Sequence, residues 1–202
     1  PRIAIVGPTA VGKTSVGIAL AEALGSEILS ADSMQVYRGM DIGTAKPTSS
    51  EQAQVRLHAI DAADPDQSWT LADFQQLGER VCEEAAESQT PILIVGGTGL
   101  YVRALTLDLA IPRTPPDEAF RTYWRSIAAE KGNPEVQGAL ALVDPDAASR
   151  IHVNDLGRLI RALEVHAATG VTLTDWHRRN KAEAATRDVR LYGLNFADRR
   201  IL

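Results

Sequence analysis

The chain has 202 residues, 45% of them apolar, and a formal net charge of −5. That is enough apolar chain to bury a core, while a single cysteine (Cys82) excludes a disulfide framework and suits a reducing cytoplasm. No apolar run approaches the ~18 residues of a membrane span, so neither an anchor nor a signal peptide is expected, although Pro1 in place of methionine implies that at least an initiating residue is missing.

In chain order, Ile3–Val6 reads as a buried strand and Lys13–Leu24 as the helix after it. Glu27–Ser30 is a second strand ending at Ala31-Asp32-Ser33, and Arg56–Ile60 a weaker strand candidate. Thr70–Ser88 carries Leu71, Phe74, Leu77, Val81 and Ala85 at helical spacing, with Thr70 as N-cap and Asp73 three residues on. Cys82 falls within this helix and reads as a buried small hydrophobe. Pro91–Val95 is the clearest buried strand and ends at Gly96-Gly97-Thr98-Gly99. Short apolar runs separated by helices predict a parallel sheet covered on both faces.

Beyond Pro112 and the pair Pro115-Pro116 the pattern becomes helical. Phe120, Trp124 and Ile127 share one helix face, and Leu156, Leu159, Ile160 and Leu163 another; Gly132-Asn133-Pro134 and Thr169-Gly170 are stop signals. Val189–Leu194 then reads as a strand returning to the sheet. The expected domains are an α/β core over 1–112, a helical insertion over 113–187, and a return strand within 188–202. Charge divides along the same line. Residues 1–112 carry 7 basic against 14 acidic side chains, residues 113–202 carry 14 against 12, and from Arg150 onward the count is 10 against 6. Such asymmetry can mark a polyanion-binding segment, although solvated helix faces also carry arginine.

Residues Gly7 to Thr14 read Gly-Pro-Thr-Ala-Val-Gly-Lys-Thr, a complete G-x-x-x-x-G-K-[ST] loop set between a strand and a helix. In such a loop the backbone N–H groups of Thr9, Ala10, Val11, Gly12, Lys13 and Thr14 can wrap phosphate oxygens, and the helix N-terminus presents its positive end to the same anion. Lys13 adds a point charge, and the Thr14 hydroxyl is placed to ligate Mg²⁺. Ligands of open α/β sheets sit beyond the carboxyl ends of the strands, so this loop, Asp32-Ser33 and Gly96-Gly97-Thr98 should converge on one cleft. Asp32 is then the best general base or metal-supporting group, unless it merely caps a turn; Thr98 can hydrogen-bond a reacting group, unless it is only a turn residue. A nucleotide hydrolase wants an apolar strand ending in a metal-binding aspartate, and only Leu57–Asp61 offers one. The loop therefore suits a pyrophosphate that departs as a leaving group.

Taken together, the phosphate loop, Ala31-Asp32-Ser33-Met34-Gln35-Val36-Tyr37-Arg38-Gly39-Met40-Asp41-Ile42-Gly43-Thr44-Ala45-Lys46-Pro47, Gly96-Gly97-Thr98-Gly99-Leu100-Tyr101, His152-Val153-Asn154-Asp155 and Arg158–Val165 closely resemble the bacterial tRNA dimethylallyltransferases. The resemblance implies a P-loop NTPase-like parallel sheet with an all-helical insertion. It also implies transfer of a dimethylallyl group from dimethylallyl diphosphate to N6 of adenosine 37 in tRNA, with Mg²⁺, by a cytoplasmic, monomeric enzyme that does not bind membranes. By the same resemblance Asp32 accepts the N6 proton, Lys13 and Thr98 flank the reacting groups, and Arg199 contacts the diphosphate. The anticodon stem-loop is met by Asp32, Ser33, Met34, Gln35, Arg158 and Arg161, with the helical insertion as a clasp. From the residues alone, Arg158 and Arg161 read equally as a solvated face.

There are departures from the family pattern. Leu57 precedes His58 where two histidines are usual, so His58 is expected to be structural, and Val153 replaces the usual proline. Family members also continue beyond the position of Leu202 for roughly another third of their length, as helices. The rival readings are an adenylate isopentenyltransferase acting on free AMP, ADP or ATP, a small-molecule kinase with ATP in the loop, and a non-catalytic RNA-binding protein.

Overall fold

The computed structural model describes residues 2–107, 109–183 and 188–196. The chain folds as two compact units, residues 1–109 with 185–202, and residues 110–184.

Among the described residues the first unit is a five-stranded, wholly parallel sheet in the order β3-β2-β4-β1-β5. Its strands are β1 (Arg2–Val6), β2 (Glu27–Ser30), β3 (Leu57–His58), β4 (Ile92–Gly96) and β5 (Val189–Gly193), and its helices α1 (Lys13–Leu24), α2 (Ser49–Gln52), α3 (Leu71–Glu87) and α4 (Gly99–Thr106). Alternate side chains of β4 point to opposite faces, as strand geometry requires. Ile92 and Ile94 pack with Phe74, Val81 and Leu105, whereas Leu93 and Val95 pack with Ile18 and Ala21. Being buried on both faces, β4 needs an unbroken apolar run, which Ile92-Leu93-Ile94-Val95 supplies. At the start of α3, Thr70 and Asp73 form a reciprocal capping box.

The weaker strand candidate is cut short. Pairing to β2 stops at His58, because Ala59 (φ 60°) and Asp61 (φ 52°) leave the extended region for a left-handed one. His58 has the structural role expected of it, with Nε2 2.6 Å from Oε2 of Glu27 on β2.

Among the described residues the second unit packs five helices, α5 (Glu118–Lys131), α6 (Asn133–Val143), α7 (Pro145–Arg150), α8 (Leu156–Thr169) and α9 (Leu173–Glu183). Val136, Leu140, Leu159, Ile160 and Leu163 form its core, with Phe120, Trp124, Ile127 and Leu156 packed against them. Gly132 ends α5 and begins α6, and Gly170, at φ 69°, ends α8.

Gly96 sits where no other residue fits. A Cβ there would lie 2.2 Å from the carbonyl oxygen of Ala31, so β2 and β4 could not both hold their present course at this point. Gly96→Ala is expected to destabilise the α/β unit by about 3 kcal/mol, the upper range for overpacking. A urea midpoint unchanged from the parent chain would refute that close approach.

Candidate active site

The strand order brings together groups that are far apart in sequence. β2, β4 and β1 are consecutive in the sheet, so the segments leaving their carboxyl ends, Ala31-Asp32-Ser33, Gly97-Thr98 and the loop from Gly7, border one another. They enclose a cleft of about 730 Å³ whose lining includes Lys13, Thr14, Asp32, Ser33, Gln35 and Thr98. That volume suits a small organic ligand.

Ala10 (φ 67°) and Gly12 (φ 86°) both adopt left-handed backbone in the phosphate loop, the kind of turn in which successive N–H groups converge. Gly12 meets this demand without a Cβ penalty. It is also the N-cap of α1, and no side chain caps that helix, so the N–H groups of its first turn are left for an anion. Gly7, Thr9 and Ala10 line the cleft. Val11 instead is buried, its side chain close behind Gly7, so only its backbone is available to a ligand. The Lys13 ammonium donates to the carbonyl of Pro8 at 2.7 Å, leaving two N–H donors. Burial holds its pKa below the usual lysine value, opposed by the negative charge of Asp32 in the same cleft.

Asp32 does cap a turn, and still lines the cleft. Its Oδ1 accepts from the N–H of Met34 at 2.9 Å and of Gln35 at 3.4 Å, and among the described residues its hydrogen bonds fall on that oxygen alone. Thr98 accepts from the N–H of Ser33 at 3.0 Å, and its hydroxyl lies 3.3 Å from that of Ser33. One threonine thereby ties the segment after β2 to the segment after β4. Gln35 is held deeper. Its Oε1 accepts from the Ser30 hydroxyl at 3.0 Å, and its Nε2 donates to the carbonyls of Thr44 and Ala45 at 3.2 and 3.1 Å. Asp61, the alternative metal-binding acid, is instead ion-paired to Lys46 at 2.6 Å and does not line the cleft.

A profile of the IPP transferase family matches residues 35–202. The chain belongs to that family. It is 47% identical, over 87% of its length, to the tRNA dimethylallyltransferase of Geobacillus thermodenitrificans, and 44% identical along its whole length to that of Bacillus pumilus. Among solved structures it resembles the full-length tRNA isopentenylpyrophosphate transferase of Bacillus halodurans (45% identity, 84% of this chain and 56% of that one, TM-score 0.53). It also resembles a eukaryotic dimethylallyltransferase described as acting on tRNA (25% identity, 96% of this chain and 48% of that one, TM-score 0.79). The chain spans 56% of the Geobacillus relative and 63% of the Bacillus pumilus one.

In the helical unit the two arginines differ. The Arg158 side chain is 80% exposed and meets only Asp155, at 3.3 Å, among the described residues. Arg161 is 33% exposed, and its guanidinium donates to Glu164 at 2.5 Å and to the carbonyl of Thr114 at 3.3 Å. Helical spacing puts both on one face, but the buried Glu164 on the next turn engages Arg161 in an ion cluster with Arg121. Arg199 lies outside the described residues.

A divalent cation fits the donor set. The cleft offers a hydroxyl (Thr14) and a carboxylate (Asp32), hard oxygen donors, and no group of three acidic, His or Cys side chains among the described residues forms a closed metal cage. That suits Mg²⁺, which binds through one or two protein oxygens plus substrate phosphates and water.

For the lining residues Thr44, Ala45 and Pro47 the sequence offers no chemistry of their own; their signal is the Gly43–Pro47 string shared with the dimethylallyltransferases.

Proposed function

We propose that this chain carries the reaction centre of a tRNA dimethylallyltransferase, moving a dimethylallyl group from dimethylallyl diphosphate to N6 of adenosine 37 in the anticodon loop. The observation that carries this reading is the joining of phosphate loop, Asp32 and Thr98 in one cleft. The loop over Gly7 and Thr9–Thr14 receives the diphosphate, with Lys13 neutralising charge as it departs. Mg²⁺, when bound at Thr14, supplies further electrostatic stabilisation of that leaving group. The N6 lone pair forms the new bond to C1 of the prenyl group while the C1–O bond breaks toward diphosphate, and Asp32 takes the N6 proton. An aryl amine is a weak nucleophile, so positioning and stabilisation of the leaving group supply most of the rate. Thr98 holds Ser33, and with it the Asp32 turn, against the reacting region. The target base has to leave its stack to enter such a cleft.

Within the RNA-binding role, Ser33, Met34 and Gln35 meet the flipped nucleotide. The helical unit grips the stem, with Arg158 at the phosphates and Arg161 bracing α8 from within.

Lys13→Ala is expected to weaken dimethylallyl diphosphate binding by about 2 kcal/mol, roughly 30-fold, the worth of a charge-assisted hydrogen bond. Titration of the diphosphate would detect this, and unchanged affinity would exclude Lys13 from the anion site.

The function itself is tested with radiolabelled dimethylallyl diphosphate, Mg²⁺ and an unmodified stem-loop carrying A36-A37-A38, run beside AMP. Label in the RNA alone is the expected result. Label in AMP would make this a nucleotide prenyltransferase, and ATP-dependent phosphoryl transfer would make it a kinase.

A further inference from the structure

Lys46 is a buried cation that takes no part in the chemistry above. Its side chain is 2% exposed, with Nζ 2.7 Å from Asp41 Oδ1, 2.6 Å from Asp61 Oδ1 and 2.7 Å from the carbonyl oxygen of Tyr37. All three ammonium donors are therefore used. Neither Lys46 nor any of these partners lines the cleft. Burial opposes the charge, but the hydrogen bonds to the two aspartates outweigh it and hold the pKa above the ordinary lysine value. Only the lysine of this cluster is buried, Asp41 and Asp61 being 64% and 42% exposed. Pairs of that kind add little net stability, because desolvation of the lysine offsets an attraction that water screens, so the cluster's presence calls for another reason.

That reason lies in what the cluster fastens. Thr44, Ala45 and Pro47, on either side of Lys46, do line the cleft. Ala45 (φ 49°) is held in left-handed backbone, as is Asp61 (φ 52°) at the other end of the ion pair. Such conformations cost roughly 1–3 kcal/mol each and persist only where the surroundings over-determine them. The restraints are visible. Gln35 ties down the carbonyls of Thr44 and Ala45, the Asp61 N–H donates to the carbonyl of Gln35 at 3.3 Å, and the Lys46 N–H donates to the carbonyl of Asp41 at 3.2 Å. Lys46 joins these strands of chain from behind.

We infer that Lys46 is a positioning residue that shapes the wall of the cleft formed by Gln35, Thr44, Ala45 and Pro47, and that this wall receives the acceptor base. The inference rests on the reading in the preceding subsection. The phosphate loop claims the diphosphate, and the amine has to sit beside Asp32. The wall that continues from Asp32 through Gln35 to Pro47 is therefore the acceptor's side. Loss of Lys46 loosens acceptor binding and leaves the diphosphate site intact.

The test is Lys46→Met, which keeps the length of the side chain and removes its charge. The KM for the stem-loop is expected to rise about 10- to 100-fold, the range for residues that support a site from behind, with the KM for dimethylallyl diphosphate unchanged. Amide hydrogen exchange at positions 45 and 46 should accelerate, while exchange at residues 9–14 stays as in the parent chain. Should the Met variant fail to fold, Asp61→Asn, which leaves Lys46 bonded to Asp41 and Tyr37, carries the same comparison with a smaller effect. Equal rises in both KM values, or unchanged exchange at 45 and 46, overturn the inference. A parent chain that transfers no label to RNA removes the functional reading instead, and the exchange measurement still decides whether Lys46 orders this wall.

Discussion

Asp32→Ala should lower transfer to the stem-loop by about 10²- to 10⁴-fold, the range for losing a general base, while dimethylallyl diphosphate binds as before. The carboxylate has two jobs that the geometry separates. Oδ1 caps the turn through the N–H groups of Met34 and Gln35, a job that an asparagine carbonyl does equally well. Accepting a proton requires the carboxylate itself. Asp32→Asn is therefore expected to keep the turn and lose the chemistry, falling nearly as far as the alanine variant. An asparagine variant with parental activity would leave Asp32 a turn former and no more. Equal loss of catalysis and diphosphate binding would likewise sink the base assignment, because it would mean that the cleft had collapsed. The readouts are single-turnover transfer and direct titration of the diphosphate.

Glu164→Ala should destabilise the helical unit by about 3–5 kcal/mol, the cost of breaking a buried ion pair by deleting one partner. The Glu164 side chain is 3% exposed. It accepts from Arg121 Nε and Nη2 at 2.8 and 3.0 Å, from Arg161, and from the N–H of Asp117 at 2.8 Å. One carboxylate thus fastens the start of α5 to α8, and its removal takes the buried partner from two guanidinium groups, leaving Arg121 with Glu118 and Arg161 with the Thr114 carbonyl. Burial pushes its pKa up, but the hydrogen bonds from Arg121 and Arg161 and from Asp117 outweigh this and hold it below the usual glutamate value. The sign follows from linkage. A group whose pKa is depressed on folding stabilises the native state above its unfolded value, about 4.3, and that stabilisation is lost as pH falls through the lower folded value. Urea unfolding followed through Trp124 should therefore show a large parent-to-variant gap at pH 7 that narrows in acid. A gap below ~1 kcal/mol at pH 7, the worth of a surface pair, would show that the cluster is not acting as a buried one.

Such clusters mark the limit of what a sequence declares. The phosphate loop is legible because its parts are contiguous: an apolar strand, a turn that requires glycine at a left-handed position, and a helix whose first N–H groups stay uncapped. The capping box at Thr70 and the apolar faces through Phe120, Trp124 and Ile127 are legible for the same reason, since they depend on neighbours within a turn or two of chain. The short β3 was not. Arg56–Ile60 has a strand's composition, and only the left-handed turn at Ala59 and Asp61, set by contacts with Gln35 and Lys46, ends the strand at His58.

The sequence by itself thus determined the phosphate-loop motif and which acids stand at strand ends. Tertiary structure decided which of those groups meet. The β2-β4-β1 order seats Asp32 and Thr98 beside the phosphate loop. Ion pairing engages Asp61, and Glu164 holds the guanidinium of Arg161, whose side chain stays 33% exposed. Local periodicity carries the geometry of a single element, but charge pairing across 15 or 43 residues, as at Lys46–Asp61 and Arg121–Glu164, follows from a fold that buries one charge of each pair, Lys46 and Glu164, which must then find a partner.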